Sequence, residues 1–157
     1  MVTARNTLTQ ILQGPAMTAT ARLDISALSE AQRAGLTMFG TRPAWIGVVR
    51  EAGVTHIVFA NAGEETVSVP VAGATLQLRV VVGPDQQAQF AYNLDDGAQF
   101  TAFGAPVALR FSWWKGARPA LFTYVRSPPA NATGSGHIDI DWFHVDTAGA
   151  AHSSTQR

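Results

Sequence analysis

The chain contains no cysteine. Disulfides, thiol nucleophiles and zinc–thiolate sites are therefore excluded, and the fold must be held by its core alone. Lysine is almost absent as well. Lys115 is the single one, and arginine supplies the other ten basic side chains. Eleven acidic groups balance them to a net charge of zero, and no basic run occurs. That removes the electrostatic footprint of a nucleic-acid binder. Long apolar runs are also missing; none approaches the roughly 20 residues of a membrane span. The opening stretch MVTARNTLTQILQG lacks the apolar core of a signal peptide. As written, the sequence predicts a cytoplasmic product, unless it is a fragment of a longer secreted protein. Helix signals are scarce too. Only ISALSEAQR (25–33) carries them, with Ser26 or Ser29 as the cap, for at most two turns.

What is present is β-strand patterning. The 157 residues, 46% hydrophobic and 14% charged, fit one domain with one packed core. Period-two alternation predicts strands over 7–13, 18–25, 34–40, 44–51, 55–61, 65–71, 75–82, 87–94, 99–104, 107–114, 119–126 and 137–145. Turn signals such as EAG (51–53), AGEE (62–65), GPD (83–85) and DDG (95–97) separate them. A parallel sheet would need crossover helices for which there is no room. The expected fold is all-β, a two-sheet antiparallel β-sandwich or jelly roll over residues 6–146, with tails at 1–5 and 147–157.

HIDIDWFHV (137–145) is the stretch most suggestive of chemistry. Asp139 and Asp141 would share one face of a strand about 6.6–6.8 Å apart, near the separation at which paired carboxylates hydrolyse glycosides. Alternation places Ile138, Ile140 and Trp142 in the core and His137, Asp139, Asp141, Phe143 and Val145 on the outer or groove-lining face. HIDID resembles the Glu-x-Asp-x-Glu strand of family 16 glycoside hydrolases. However, His137 stands at the nucleophile position and the shorter Asp141 at the acid/base position, which removes the two-carboxyl retaining mechanism. A metal on His137, Asp139 and Asp141 would have to bridge about 13 Å of straight strand. The sequence implies no cofactor and leaves a structural calcium open. No Gly-x-Ser-x-Gly elbow or phosphate-cradling glycine loop occurs.

NLDDGAQF (93–100) matches an Asp-box: a side-chain carboxylate accepts backbone N–H groups across a hairpin, Gly97 takes positive φ, and Phe100 anchors the return strand. In VALRFSWW (107–114), alternation sends Trp113 inward and puts Trp114 on one face with Arg110 and Ser112, next to Lys115. An outward Trp at a strand end suits stacking on a pyranose ring or docking on a partner. Trp45 shares a face with Val49 and reads as core. Tyr92 and Tyr124 are not distinguishable from core tyrosines.

Taken in order, NTLTQILQGP, ATARLDISALSEAQRAGLTMFG, AWIGVV, YNLDDGAQFTAFG, WWKGARPALFTYV and GHIDIDWFHV resemble one domain. It is the C-terminal β-sandwich of family 43 glycoside hydrolases, the β-xylosidase and α-arabinofuranosidase group. The resemblance implies a concanavalin-like jelly roll, of a type classed in some members as a family 91 carbohydrate-binding module for xylan. It also implies a loop reaching the catalytic propeller, whose aromatic helps close the sugar pocket; Trp114, in WWKGAR, holds the matching position. The propeller and its acidic residues would precede this domain, so the resemblance does not imply glycosidase activity for the chain itself. The expected function is binding of xylan or xylo-oligosaccharides without catalysis, through Trp114, Lys115, Arg110, Asp139 and Asp141. The alternative is a structural partner that docks on a family 43 catalytic propeller. A small jelly-roll hydrolase using Asp139 and Asp141 ranks last.

Overall fold

The structure, a computed structural model, describes residues 6–11, 16–110, 116–126 and 136–147. Strands β1 (Asn6–Thr9), β11 (Arg118–Val125), β3 (Gln32–Phe39), β4 (Ala44–Glu51), β5 (Val54–Asn61) and β6 (Glu64–Pro70) form one sheet in that order. Strands β10 (Val107–Ala108), β8 (Gln87–Asn93), β7 (Thr75–Val82), β2 (Met17–Asp24) and β12 (Asp139–Thr147) form the second, with β9 (Thr101–Ala102) paired to β8. Every pairing is antiparallel. The expected two-sheet sandwich is what the chain forms.

Alternation builds the core. Ala19, Ala21 and Leu23 of β2, Leu76, Leu78 and Val80 of β7, and Leu36, Ile46 and Ile57 of the facing sheet are all fully buried. In β7 the intervening residues are half-buried or exposed, whereas β3 and β4 are buried on both faces. The β4–β5 and β5–β6 hairpins turn through two residues each, Ala52–Gly53 and Ala62–Gly63, all at positive φ. That is the turn geometry whose twist matches the flanking strands. Glu30 accepts hydrogen bonds from the amides of Ala52 (2.5 Å) and Gly53 (3.2 Å), fixing the first of these turns.

Three expectations need correction. Residues 25–33 form no helix. Two successive tight turns replace it, with the Leu28 amide bonded to Ile25 O and the Gln32 amide to Ser29 O. Ile25 and Leu28 are buried at the same three-residue spacing a helix would use, but Ala31 is left-handed (φ 59°) and ends any helical path. Gln32, itself buried, pins the segment: its carbonyl accepts from the Ser29 amide and hydroxyl, and its amide donates to Thr123 Oγ1 and Gly136 O.

Second, among the described residues of the strand expected at 107–114, Val107 and Ala108 pair with β8, the Leu109 amide reaches Gln86 O, and Leu109 and Arg110 are not strand. Trp113, Trp114 and Lys115 lie outside the described residues.

Third, β12 carries a bulge. Ile140 pairs with Leu23 and Trp142 with Arg22, so Asp141 is the extra residue. One inserted residue flips everything after it to the other face. Phe143 and Val145 therefore pack on the core and Trp142 stands on the outer face with His144, rings 4.8 Å apart, while Ile140, before the bulge, is 42% exposed on this edge strand.

Trp45 and Val49 are buried, as expected, in a core cluster of their own. With Val58, Ala60 and Phe122 they form a second cluster on the outer face of the β3–β4–β5 sheet. Arg33 of β3 bonds Glu65 of β6 across that cluster. Three strand spacings, about 14 Å, separate those strands in a flat sheet, so the sheet curls over this face and the ion pair roofs it.

Candidate functional site

The two carboxylates of β12 have different surroundings. Asp141, at the bulge, is an ion-pair partner of Arg22 Nη1. The same guanidinium holds Asp96 through two further bonds, Nε to Oδ1 at 3.1 Å and Nη2 to Oδ2 at 2.7 Å, and Gln77 adds a bond to Asp96. Arg22 thus ties β2 to β12 and to the turn after β8, with its own proton held more firmly than usual. Asp139 is well exposed, 3.8 Å from His137 Nε2. Among the described residues, no group of three His, Asp or Glu is placed to hold a metal ion.

The Asp-box at 93–100 is structural, with one change of residue. Asp95 accepts the Gly97 amide, and Asn93 accepts the Asp95 amide while donating to Gly97 O. Positive φ falls on Asp96 (56°), not Gly97. Asp tolerates that geometry better than most residues, and it turns the Asp96 carboxylate towards Arg22. Phe100 is covered by the Arg79 guanidinium, 3.6 Å from the ring centroid.

Bonding to Arg22 and Gln77 lowers the Asp96 pKa to about 2. A carboxyl with a depressed folded-state pKa stabilises the protein above its ordinary range and loses that contribution as pH falls towards the folded value. The gap in melting temperature between the native domain and Asp96→Asn should therefore be full above pH 4 and close by about pH 2. A gap that does not change with pH would show that Asp96 acts through packing instead.

A site with room for a ligand lies at one end of the sandwich. It is a cleft of about 260 Å³ between the β3–β4 turn, the end of β5 and the chain around β10. Met38, Val107, Leu109 and Ala117 give it apolar walls, and Thr41, Asn61, Arg42 and Arg110 give it polar groups. Local structure explains its shape. The Thr37 hydroxyl bonds Ala44 O (2.8 Å), closing the base of the β3–β4 connection, so Gly40 to Arg42 project as its rim. Arg110 and Ala117, which bracket FSWWK, both line the cleft. Of the expected site residues, Arg110 is here, Asp139 and Asp141 are not, and Trp114 and Lys115 fall outside the described residues. Arg42 was not singled out from sequence; its signal is a lone charge in the turn GTRP between two apolar strands.

A second, apolar crevice of about 390 Å³ opens between the edge strands β1 and β12, lined by Leu8, Leu121, Phe122, Ile138 and Ile140 with Thr7 and Thr123.

The family described as the β-xylosidase C-terminal concanavalin A-like domain matches residues 1–146. The chain belongs to that family. A β-xylosidase of Formosa agariphila is 34% identical over 149 residues, covering 93% of this chain and 24% of that enzyme. The domain thus spans about a quarter of that relative's length. Among solved structures, a bifunctional GH43-CE protein of Bacteroides eggerthii superposes with TM-score 0.80 at 28% identity, over 91% of this chain and 19% of that one. An engineered GH43 glycoside hydrolase with endo-xylanase and exo-arabinofuranosidase activity gives TM-score 0.77 at 24% identity, over 90% and 31%. The domain is therefore the C-terminal concanavalin-like part found in family 43 β-xylosidases.

Proposed function

We propose that the domain recognises xylan or xylo-oligosaccharides without catalysing their cleavage, as an accessory to a family 43 catalytic domain. The observation that carries this reading is the end cleft. Its wall includes both residues that bracket the Trp-Trp-Lys segment, and Val107, Ala108, Leu109 and Arg110 alternate half-buried and exposed as far as the description runs. The alternation of the sequence puts Trp114 on the same face as Arg110 as an expectation. Apolar walls with a few amide and hydroxyl groups suit a pyranose, which offers flat C–H faces and hydroxyls. Affinity electrophoresis in a xylan-containing gel tests it. The native domain should be retarded, and Trp114→Ala should weaken binding by about tenfold, as loss of an aromatic anchor does. No retardation, or retardation unchanged in the variant, would refute it.

A second reading has its own observation. In the β1–β12 crevice, Leu8 is 63% and Ile140 42% exposed, apolar surface that an isolated domain leaves in water. It would serve as the seat of the family 43 catalytic domain. Mixed with a separately produced catalytic domain, the native domain should raise its melting temperature and the Leu8→Asp/Ile140→Asp double variant should not. No rise with the native domain would dismiss this reading.

A further inference from the structure

The end cleft has an electrostatic feature that a neutral polysaccharide backbone does not explain. Arg42 and Arg110 both line it, and no Asp or Glu does. All eleven acidic side chains of the chain lie within the described residues. None comes within salt-bridge distance of either arginine; the carboxylates that do pair with arginine are Asp96, Asp141, Glu51 and Glu65, bound to Arg22, Arg33 and Arg126. Glu64, opposite Asn61 across the β5–β6 turn, is the acidic residue nearest in register, and it does not line the cleft.

Single unpaired arginines are common on protein surfaces and signify little. Two lining one small cleft, with no carboxylate beside them, give it a positive potential that favours an anion. The guanidinium fork matches a carboxylate in two parallel hydrogen bonds. At about 260 Å³ the cleft is smaller than the roughly 300–1,000 Å³ sites of drug-sized ligands. It therefore suits one sugar ring, not a length of chain.

We propose that this cleft binds the carboxylate of a uronic acid substituent carried on a xylan-type backbone. The proposal deepens the xylan reading and rests on it for the identity of the polymer, while the anion site itself is testable alone. Calorimetry would compare a xylo-oligosaccharide bearing one glucuronic acid, the same oligosaccharide after carboxyl reduction, and free glucuronate. The native domain should bind the acidic form about tenfold more tightly than the reduced one, the increment of a charge-assisted hydrogen-bond pair. Arg42→Gln and Arg110→Gln should each remove most of that preference, so that each variant binds the acidic and reduced oligosaccharides with similar affinity. Both side chains are exposed, so neither variant should alter the thermal melt. Equal affinity for the acidic and reduced forms would overturn the uronic acid site and spare the xylan reading. A preference that persists in both variants would overturn it likewise. Binding of free glucuronate without binding of either oligosaccharide would support the anion site and refute xylan as the polymer. Binding of none of the three would overturn both.

Discussion

Gly35→Ala should destabilise the domain by about 4–5 kcal/mol, at the extreme of single-residue effects, and lower its melting temperature by about 10–15 °C. Gly35 and Gly47 face each other in the β3–β4 ladder. A Cβ on Gly35 would stand 2.5 Å from Gly47 Cα and closer still to the Ile46 carbonyl oxygen. A Cβ on Gly47 would stand 3.0 Å from Gly35 Cα and press on the Ala34 carbonyl oxygen. These obstacles are backbone atoms of two central strands, flanked by β11 and β5, so neither can yield without shifting the sheet. Neither glycine has positive φ; the requirement is for space, not for conformational freedom. The distinction sets the sign of the effect. At a strand glycine with room, alanine would be neutral or gain about 0.4–1 kcal/mol by restricting the unfolded chain. Urea unfolding of Gly35→Ala and Gly47→Ala discriminates: a loss under 1 kcal/mol in either would show that the strands do not approach as described. Because Arg42 stands on the turn joining these strands, the same variants should also disorder the end cleft.

The strand pattern was largely legible because one face of nearly every strand is buried, and burial of one face writes a period of two into the sequence. β4, β5 and β7 lie within a residue of the expected ranges. Where reading failed, the cause was a feature without a period. ISALSEAQR has the i, i+3 apolar spacing of a helix, and the left-handed Ala31 that breaks it carries no sequence mark. In HIDIDWFHV, the alternation is unbroken on paper. At the bulge, Asp141 meets Arg22, 119 positions away, which also holds Asp96. No local pattern contains that information. Once the slip is made, Phe143 and Val145 enter the core and Trp142 leaves it, so a hydrophobic strand reads correctly as a strand and wrongly as to face.

The site was legible to the same degree. Charge and aromatic placement picked out Arg110, because a polar residue alternating with Val107 and Leu109 must face outward. Arg42 escaped because turn residues have no periodicity from which to infer direction; only the folded β3–β4 connection brings it to the cleft. Of the Asp pair, conspicuous in sequence, Asp141 is a fastening: it pairs with Arg22 and ties the edge strand to β2, while Asp139 stays exposed.

Arg33→Ala should cost about 3 kcal/mol, the loss expected when one member of a buried ion pair is removed. The Arg33 side chain is 5% exposed and donates to both oxygens of Glu65 at 3.1 Å, to Glu51 at 2.9 Å and to Ala31 O at 3.5 Å. Its removal would leave Glu65, 22% exposed, with Arg126 at 3.4 Å as its remaining cationic partner, and would unroof Trp45, Val49 and Val58. The legs differ in worth. Glu51 is 58% exposed, and an ion pair open to solvent adds little, so Glu51→Gln should change stability by no more than about 0.5 kcal/mol. The paired charge itself is not the source of stability, because desolvating both groups offsets most of their attraction. Arg33→Met combined with Glu65→Leu should therefore recover most of the loss, covering the Trp45–Phe122 cluster with apolar side chains in place of the ion pair. Urea unfolding of the three variants decides the matter. A double variant as unstable as Arg33→Ala would mean that the guanidinium fork, and not coverage of the cluster, holds β3 to β6.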